Sequence, residues 1–296
     1  MAFRPNWYDE NPGGSPMGNI LGGPIRSWTG IRLIVTTCVV FYLLELLLMS
    51  LTPQGQGLTL LYEGLGLRSW FLTIGPDGAP GHSFNYLFPV QLFTYMVLHD
   101  PTGLSHILWN MLLLWMFGRE LEAIMGKAAF LRMFVAGGVF GGLLQWGYNL
   151  ATGDTAPTIG ASGAVYTVMV LYALRWPRRA IILFPFFLPV PAILLVGFKI
   201  VGDLMGFLGG GGYVAHLVHL GGAGMGFLWH LRGDVVGRAV MQAKRHKAQK
   251  VAESQAGDRR EMDRILGKIQ ASGLSSLSAG ERRFLEKRSK ELRQER

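Results

Sequence analysis

Cysteine is almost missing from this sequence and charge is scarce. The only cysteine, Cys38, lies inside an apolar run, which excludes an intrachain disulfide, a CxxC redox pair and a cysteine-built zinc site, and leaves the redox compartment unread. Only 16% of the 296 residues are charged, against about 25% in soluble domains. Half of the residues are hydrophobic and 41 are glycine. Disorder is excluded by that apolar content, and long apolar spans explain the missing charge. No apolar h-region opens the chain, so no signal peptide is expected.

Acidic residues are few relative to basic ones, but the imbalance is local. From Arg232 to Arg296 there are 17 Lys+Arg and 9 Asp+Glu, a net of +8, and the other 231 residues hold 11 basic and 10 acidic groups. A basic segment directly after an apolar span signals topology and attraction to anionic lipid, at about 1 kcal/mol per residue near the surface. Nucleic acid is not expected as a partner.

Apolar runs occur at 31–50, 104–118, 128–150, 159–174, 180–208 and 213–231. A twenty-residue run covers the ~30 Å hydrocarbon core at 1.5 Å per residue. Six spans put both termini on one side. There fall Arg4, Arg26, Arg32, Arg119, Lys127, Arg175, Arg178, Arg179 and the basic tail, whereas the opposite loops offer almost only Arg68. The positive-inside rule therefore predicts cytoplasmic termini. The expected organisation is an N-terminal segment 1–30, a six-helix domain 31–231 and a basic tail 232–296. Residues 52–101, with apolar pieces too short to cross, read as a structured interfacial loop. In the tail, Ser278-x-x-Glu281 fits a capping box, and Ile265, Leu266 and Ile269 suggest a shorter preceding helix, giving a helical hairpin.

Polar groups recur in spans two, four and six. His106 and Asn110 share one face of span two, Gly160-Ala161-Ser162-Gly163 opens span four, and span six carries His216 and His219. Thirteen residues separate His106 from Arg119, Ser162 from Arg175, and His219 from Arg232. All three therefore lie ~20 Å from the boundary those basic residues mark, in one layer. Polar groups there are costly, so their convergence points to function. A serine with a histidine base answers it: His219 accepts the Ser162 proton, while His106, Asn110 and the Ser162 N–H face the oxyanion. No acidic residue is assigned to this layer, so a dyad is expected. Gly222 and Gly226 lie on the His219 face and allow close helix approach, with Gly163 as counterpart. Tyr166, one turn below Ser162, is positioned to pack on the His219 ring.

These motifs resemble the rhomboid intramembrane serine proteases. The resemblance rests on His106-x-x-x-Asn110, Gly160-Ala161-Ser162-Gly163 and His219-x-x-Gly222-x-x-x-Gly226 in that order, with Gly118-x-x-x-Glu122 and Gly126 also similar, and covers residues 29 to 231. It implies an all-α polytopic membrane protein, a six-transmembrane-helix bundle with a basic helical C-terminal tail. Ser162 is then the nucleophile, His219 the base, and His106 and Asn110 the oxyanion side chains. The implied substrate is a transmembrane protein cleaved near the outer end of its helix. Two departures stand out: Val90-Gln91 replaces the family's frequent Trp-Arg pair, and Val218 an alanine before the histidine.

Other readings are kept beside this one. His216 lies i, i+3 from His219, but no third ligand is evident beyond His106, so neither a metal nor another cofactor is expected. His99 reads as a structural residue in a wet loop above the site, Lys199 and Asp203 as an ion pair or snorkelling pair on span five, and Glu45 has no assigned role. A non-catalytic binder would lack the serine or histidine, and a transporter would show repeats or broken helices around a charged midplane. The expected location is the lipid bilayer of a bacterial inner membrane, with a mitochondrial one the minor alternative. The tail's partner is not readable.

Overall fold

The computed structural model describes residues 29–52, 56–74, 80–183, 188–210 and 215–294. The N-terminal segment expected for residues 1–30 therefore lies outside them except for Thr29 and Gly30. The chain divides into two compact units, Met1–Asp234 and Val235–Arg296.

The first unit contains helices α1 (Gly30–Leu51), α2 (Gln56–Leu65), α3 (Phe88–Thr94), α4 (Leu104–Met125), α5 (Lys127–Thr152), α6 (Ser162–Arg175), α7 (Ala192–Leu208) and α8 (His216–Arg232). Two antiparallel hairpins interrupt the all-α pattern, β1 (Trp70–Ile74) with β2 (Pro80–Phe84) and β3 (Ala180–Leu183) with β4 (Leu188–Pro191). The second pair of strands corrects the expected fifth span: residues 180–183 and 188–191 are apolar but form strands. Pro185, Pro189 and Pro191 crowd into seven residues there, and proline breaks a helix interior by removing a donor and clashing with the preceding turn.

Helix α6 is the hub. Every residue from Gly163 to Ala173 is buried, and α4, α5, α7 and α8 pack around it. Its fourteen residues cover about 21 Å, less than the ~30 Å of a hydrocarbon core. Backbone pairing leads the chain into α6: Leu67 and Thr158 exchange hydrogen bonds at 3.0 and 2.8 Å, and Gly160 N–H donates to Tyr95 O at 2.9 Å. Two helices, α1 and α5, are long and apolar enough to cross a membrane by length and composition.

Buried polar groups hold the outer helices. Glu122, flagged by its motif, accepts the N–H groups of Gly30 and Ile31, while Thr29 Oγ1 accepts Arg32 N–H. A carboxylate thus satisfies donors at the α1 N-terminus, where the helix dipole favours negative charge. Glu45 also finds a role, accepting His99 N–H through both oxygens at 2.9 and 3.1 Å. His99 itself is fully buried rather than exposed in a wet loop. In the first loop, buried Gln91 accepts from Asn85 Nδ2 (2.6 Å) and Arg68 N–H (3.3 Å), and donates to Glu63 O and Gly64 O. The departure at Val90-Gln91 therefore supplies the side chain that ties the loop together.

The second unit is a helical hairpin, but its first helix is much longer than expected. Helix α9 (Val235–Ser272) runs 38 residues before Gly273 turns the chain at φ +73°, and α10 (Ala279–Gln294) follows. Ser278 and Glu281 make the reciprocal capping bonds, Ser278 N–H to Glu281 (2.7 Å) and Glu281 N–H to Ser278 Oγ (3.3 Å). Arg264 and Lys268 of α9 also donate to Glu281. The Ser278 N–H and these two cations hold its carboxyl at about 2. A depressed carboxyl contributes stability that is complete above its unfolded value near 4.5 and is lost as pH falls towards 2. Amide hydrogen exchange in α10 of the full chain should therefore quicken as pH falls through that window after correction for intrinsic rates. Glu281→Gln should exchange faster already at pH 7.

Candidate active site

The start of α6, the first turn of α8 and the C-terminal half of α7 bring three chemically complementary groups into line. Ser162 Oγ lies 2.8 Å from His219 Nε2, and His219 Nδ1 lies 2.7 Å from Asp203 Oδ1. An ionised carboxylate accepts and does not donate, so the proton on His219 belongs to Nδ1. The Nε2 lone pair then faces the serine hydroxyl, as a general base requires. The expectation that no acidic residue shares this layer does not hold, and neither does the pairing of Asp203 with Lys199. Asp203 is buried on α7 and faces α8, and Lys199 Nζ instead stands over the Tyr166 ring, 5.9 Å from its centroid.

Tyr166 stacks on the His219 ring at 4.5 Å with 5° between the planes, and its hydroxyl bonds Asp203. One flat ring contact and one carboxylate leave the imidazole little rotational freedom. His216 directs Nδ1 at the same Asp203 oxygen, at 2.8 Å, but is not hydrogen-bonded to the serine.

Close helix approach makes the alignment possible. A Cβ on Gly222 would fall 1.9 Å from Gly163 O, one on Gly163 2.6 Å from Val218 Cγ1, and one on Gly226 2.7 Å from Thr167 O. The backbones of α6 and α8 thus meet where no side chain fits. Thr167 fastens them, donating its hydroxyl to Gly222 O at 2.7 Å. Gly222→Ala should push the helices apart at a cost of about 3 kcal/mol, seen as a lower melting temperature and a weakened Ser162–His219 pair.

His106 and Asn110 line the same cavity as Ser162 and His219, a space of about 1570 Å³ that also reaches Trp109, Met169 and Lys199. His106 Nδ1 accepts Asp100 N–H at 3.3 Å, so its proton lies on Nε2, which is thereby a donor. Asn110 Nδ2 donates to His106 O at 3.0 Å and keeps its second amide proton. Gly160, at φ +119°, leaves room for the His106 ring: a Cβ there would fall 2.8 Å from His106 Nε2. A hydroxyl, a base with its carboxylate and two donor side chains thus meet beside a helix N-terminus within a helical bundle.

Residues 89–233 match the family model described as the Rhomboid domain, and the chain is a member of the rhomboid family. Residues 247–291 match a family of unknown function (DUF6576). Presenilin-associated rhomboid-like protein, mitochondrial, of Bos taurus is 33% identical over 131 residues, covering 44% of this chain and 34% of its own. RHOMBOID-like protein 12, mitochondrial, of Arabidopsis thaliana is 34% identical over 146 residues, covering 45% and 43%. Rhomboid protein 1, mitochondrial, of Saccharomyces cerevisiae is 31% identical over 148 residues, covering 49% and 41%. The chain spans less than half the length of each of these relatives. Their mitochondrial names overturn the expected bacterial inner membrane, with the cytoplasmic termini that went with it.

Proposed function

We propose that this protein is an intramembrane serine endopeptidase that cleaves transmembrane-helix substrates. The observation that carries the reading is the unbroken line from Asp203 through His219 to Ser162 at a cavity lined by His106 and Asn110. Residues 31–231 form the six-span domain in this reading, with 1–30 and 232–296 flanking it. Short helices fit that count when the bundle carries them: α7 buries only Ala192, Val196 and Asp203 and exposes Leu194, Phe198, Val201 and Met205. Helix α4 exposes Leu108, Leu112 and Trp115 likewise. Apolar faces of that extent suit lipid.

In the reaction, Ser162 Oγ attacks the substrate carbonyl carbon as His219 Nε2 takes its proton. The oxyanion faces the Ser162 N–H, His106 Nε2–H and Asn110 Nδ2–H, each donor being worth about 10² to 10³ in rate. His219 then protonates the leaving amine, and water reverses the sequence to free the acyl group. Asp203 keeps the proton on Nδ1 and stabilises the imidazolium. The lining of Trp109, Leu112 and Met116 on α4 and Leu195 on α7 suits an unwound apolar segment arriving from lipid. A substrate helix must unwind locally, so cleavage is expected near small, helix-weak residues, towards the membrane face on which residues 52–101 lie.

The reading is tested by incubating the full chain in lipid vesicles with a panel of tagged transmembrane helices and locating the cuts by mass. One cut per substrate near that face, unaffected by chelator, is expected. No cleavage across the panel by a chain that folds would overturn it.

A further inference from the structure

Two histidines from one helix share a single carboxylate oxygen beside Ser162, and only one of them is needed to orient the base. The ligand atoms of Asp203, His216 and His219 lie within 4.8 Å of one another, and the side chains are 7%, 15% and 15% exposed. Along the sequence the His216 and His219 pair shows no third ligand beyond His106; in the fold Asp203 stands beside both. Two imidazole nitrogens and one carboxylate oxygen are a zinc donor set, which leaves a fourth position for water.

Tetrahedral zinc holds such ligands about 2.0 to 2.1 Å from the ion, hence about 3.3 Å apart. The present Nδ1–Oδ1 distances of 2.8 and 2.7 Å would open by about half an ångström. Two other groups face the cluster. The Tyr166 hydroxyl donates to Asp203 and can continue to do so through the second oxygen, while the Lys199 ammonium beyond the Tyr166 ring opposes a cation and is offset by the carboxylate.

We propose that Asp203, His216 and His219 form an inhibitory zinc site. Zinc on His216 and His219 needs both Nδ1 lone pairs, so in each ring the proton moves from Nδ1 to Nε2, with no net proton gained or lost. The His219 Nε2–H then points at Ser162 Oγ as a donor, and the serine has no acceptor for its proton. Removing the ion returns the proton to Nδ1 and restores the base.

Inhibition rests on the protease reading, whereas binding does not, so both are measured. Untagged full-length protein in lipid is titrated with zinc against a chromophoric chelator, and cleavage is followed in parallel. One saturable site is expected in the wild type and in Ser162→Ala, weakened about tenfold or more in His216→Gln, the loss of one of three protein ligands. Wild-type cleavage should fall at least tenfold at zinc saturation and return with chelator, while His216→Gln cleaves and ignores zinc. Cobalt in the wild type should give the strong visible bands of a tetrahedral site, a readout that stands even where His216→Gln fails to fold. No saturable site in the wild type, or equal zinc binding and inhibition in His216→Gln, overturns the proposal. A wild type that binds zinc but never cleaves without it sinks the protease reading and the inhibitory half with it, and leaves the binding half decided by the titration.

Discussion

Ser162→Ala is expected to bring cleavage of a transmembrane-helix substrate down to background, a loss of about 10⁴ to 10⁶ in kcat, with the fold intact. The magnitude follows from removing the one atom that forms the acyl bond; what remains comes from substrate positioning and the oxyanion donors. The fold should survive because Ser162 is the first residue of α6, and its hydroxyl's hydrogen bond goes to His219 rather than into the core. His219→Ala should cost a similar amount. Ser162 and His219 act as a unit, so the double variant should be no worse than either single one. Single-turnover cleavage in lipid, with a thermal melt beside it, separates this from unfolding.

Asp203→Asn is expected to lower kcat by about 10² to 10⁴ while leaving KM within a few-fold. An amide in place of the carboxylate can donate to His219 Nδ1, which turns the ring to its Nε2–H form and points a proton, not a lone pair, at Ser162. A merely structural Asp203 would instead move KM and the melting temperature and spare kcat. The variant also changes the bonds to Tyr166 and His216, so some fall in stability is expected, and Asp203→Glu should recover part of the rate if one oxygen reaches Nδ1.

Much of this site is legible along the chain. Motifs at 106–110, 160–163 and 219–226, each pinned by a basic residue thirteen positions on, specify helices of common direction and a common layer. That is enough to bring Ser162 to His219. The glycines are legible for the same reason, since small residues at i, i+3 and i+7 from His219 have no use except close approach. Asp203 is not legible in that way. Helix α7 has no basic residue in its last turn to fix its depth, and Lys199 one turn away offers a local ion pair. Only the packing of α7 against α8 turns Asp203 to the histidines.

The β3–β4 hairpin was hidden by hydropathy, which sees residues 180–208 as one run, although the spacing of Pro185, Pro189 and Pro191 carries the signal. Gln91 was hidden because its partners are the Asn85 side chain and backbone groups of Glu63, Gly64 and Arg68, for which a linear sequence has no pattern. Glu45 and Glu122 are of the same kind: each carboxylate answers N–H groups far away in sequence, His99 for one and Gly30 with Ile31 for the other.

The central claim is that His219 activates Ser162 as a nucleophile, and covalent labelling tests it most directly. The full chain in lipid is treated with a fluorophosphonate and the adduct located by tandem mass spectrometry. The account predicts an adduct on Ser162 in the wild type, undiminished by chelator and reduced to background in His219→Ala. An unlabelled Ser162 in a chain that cleaves its substrates, or equal labelling in wild type and His219→Ala, would contradict it.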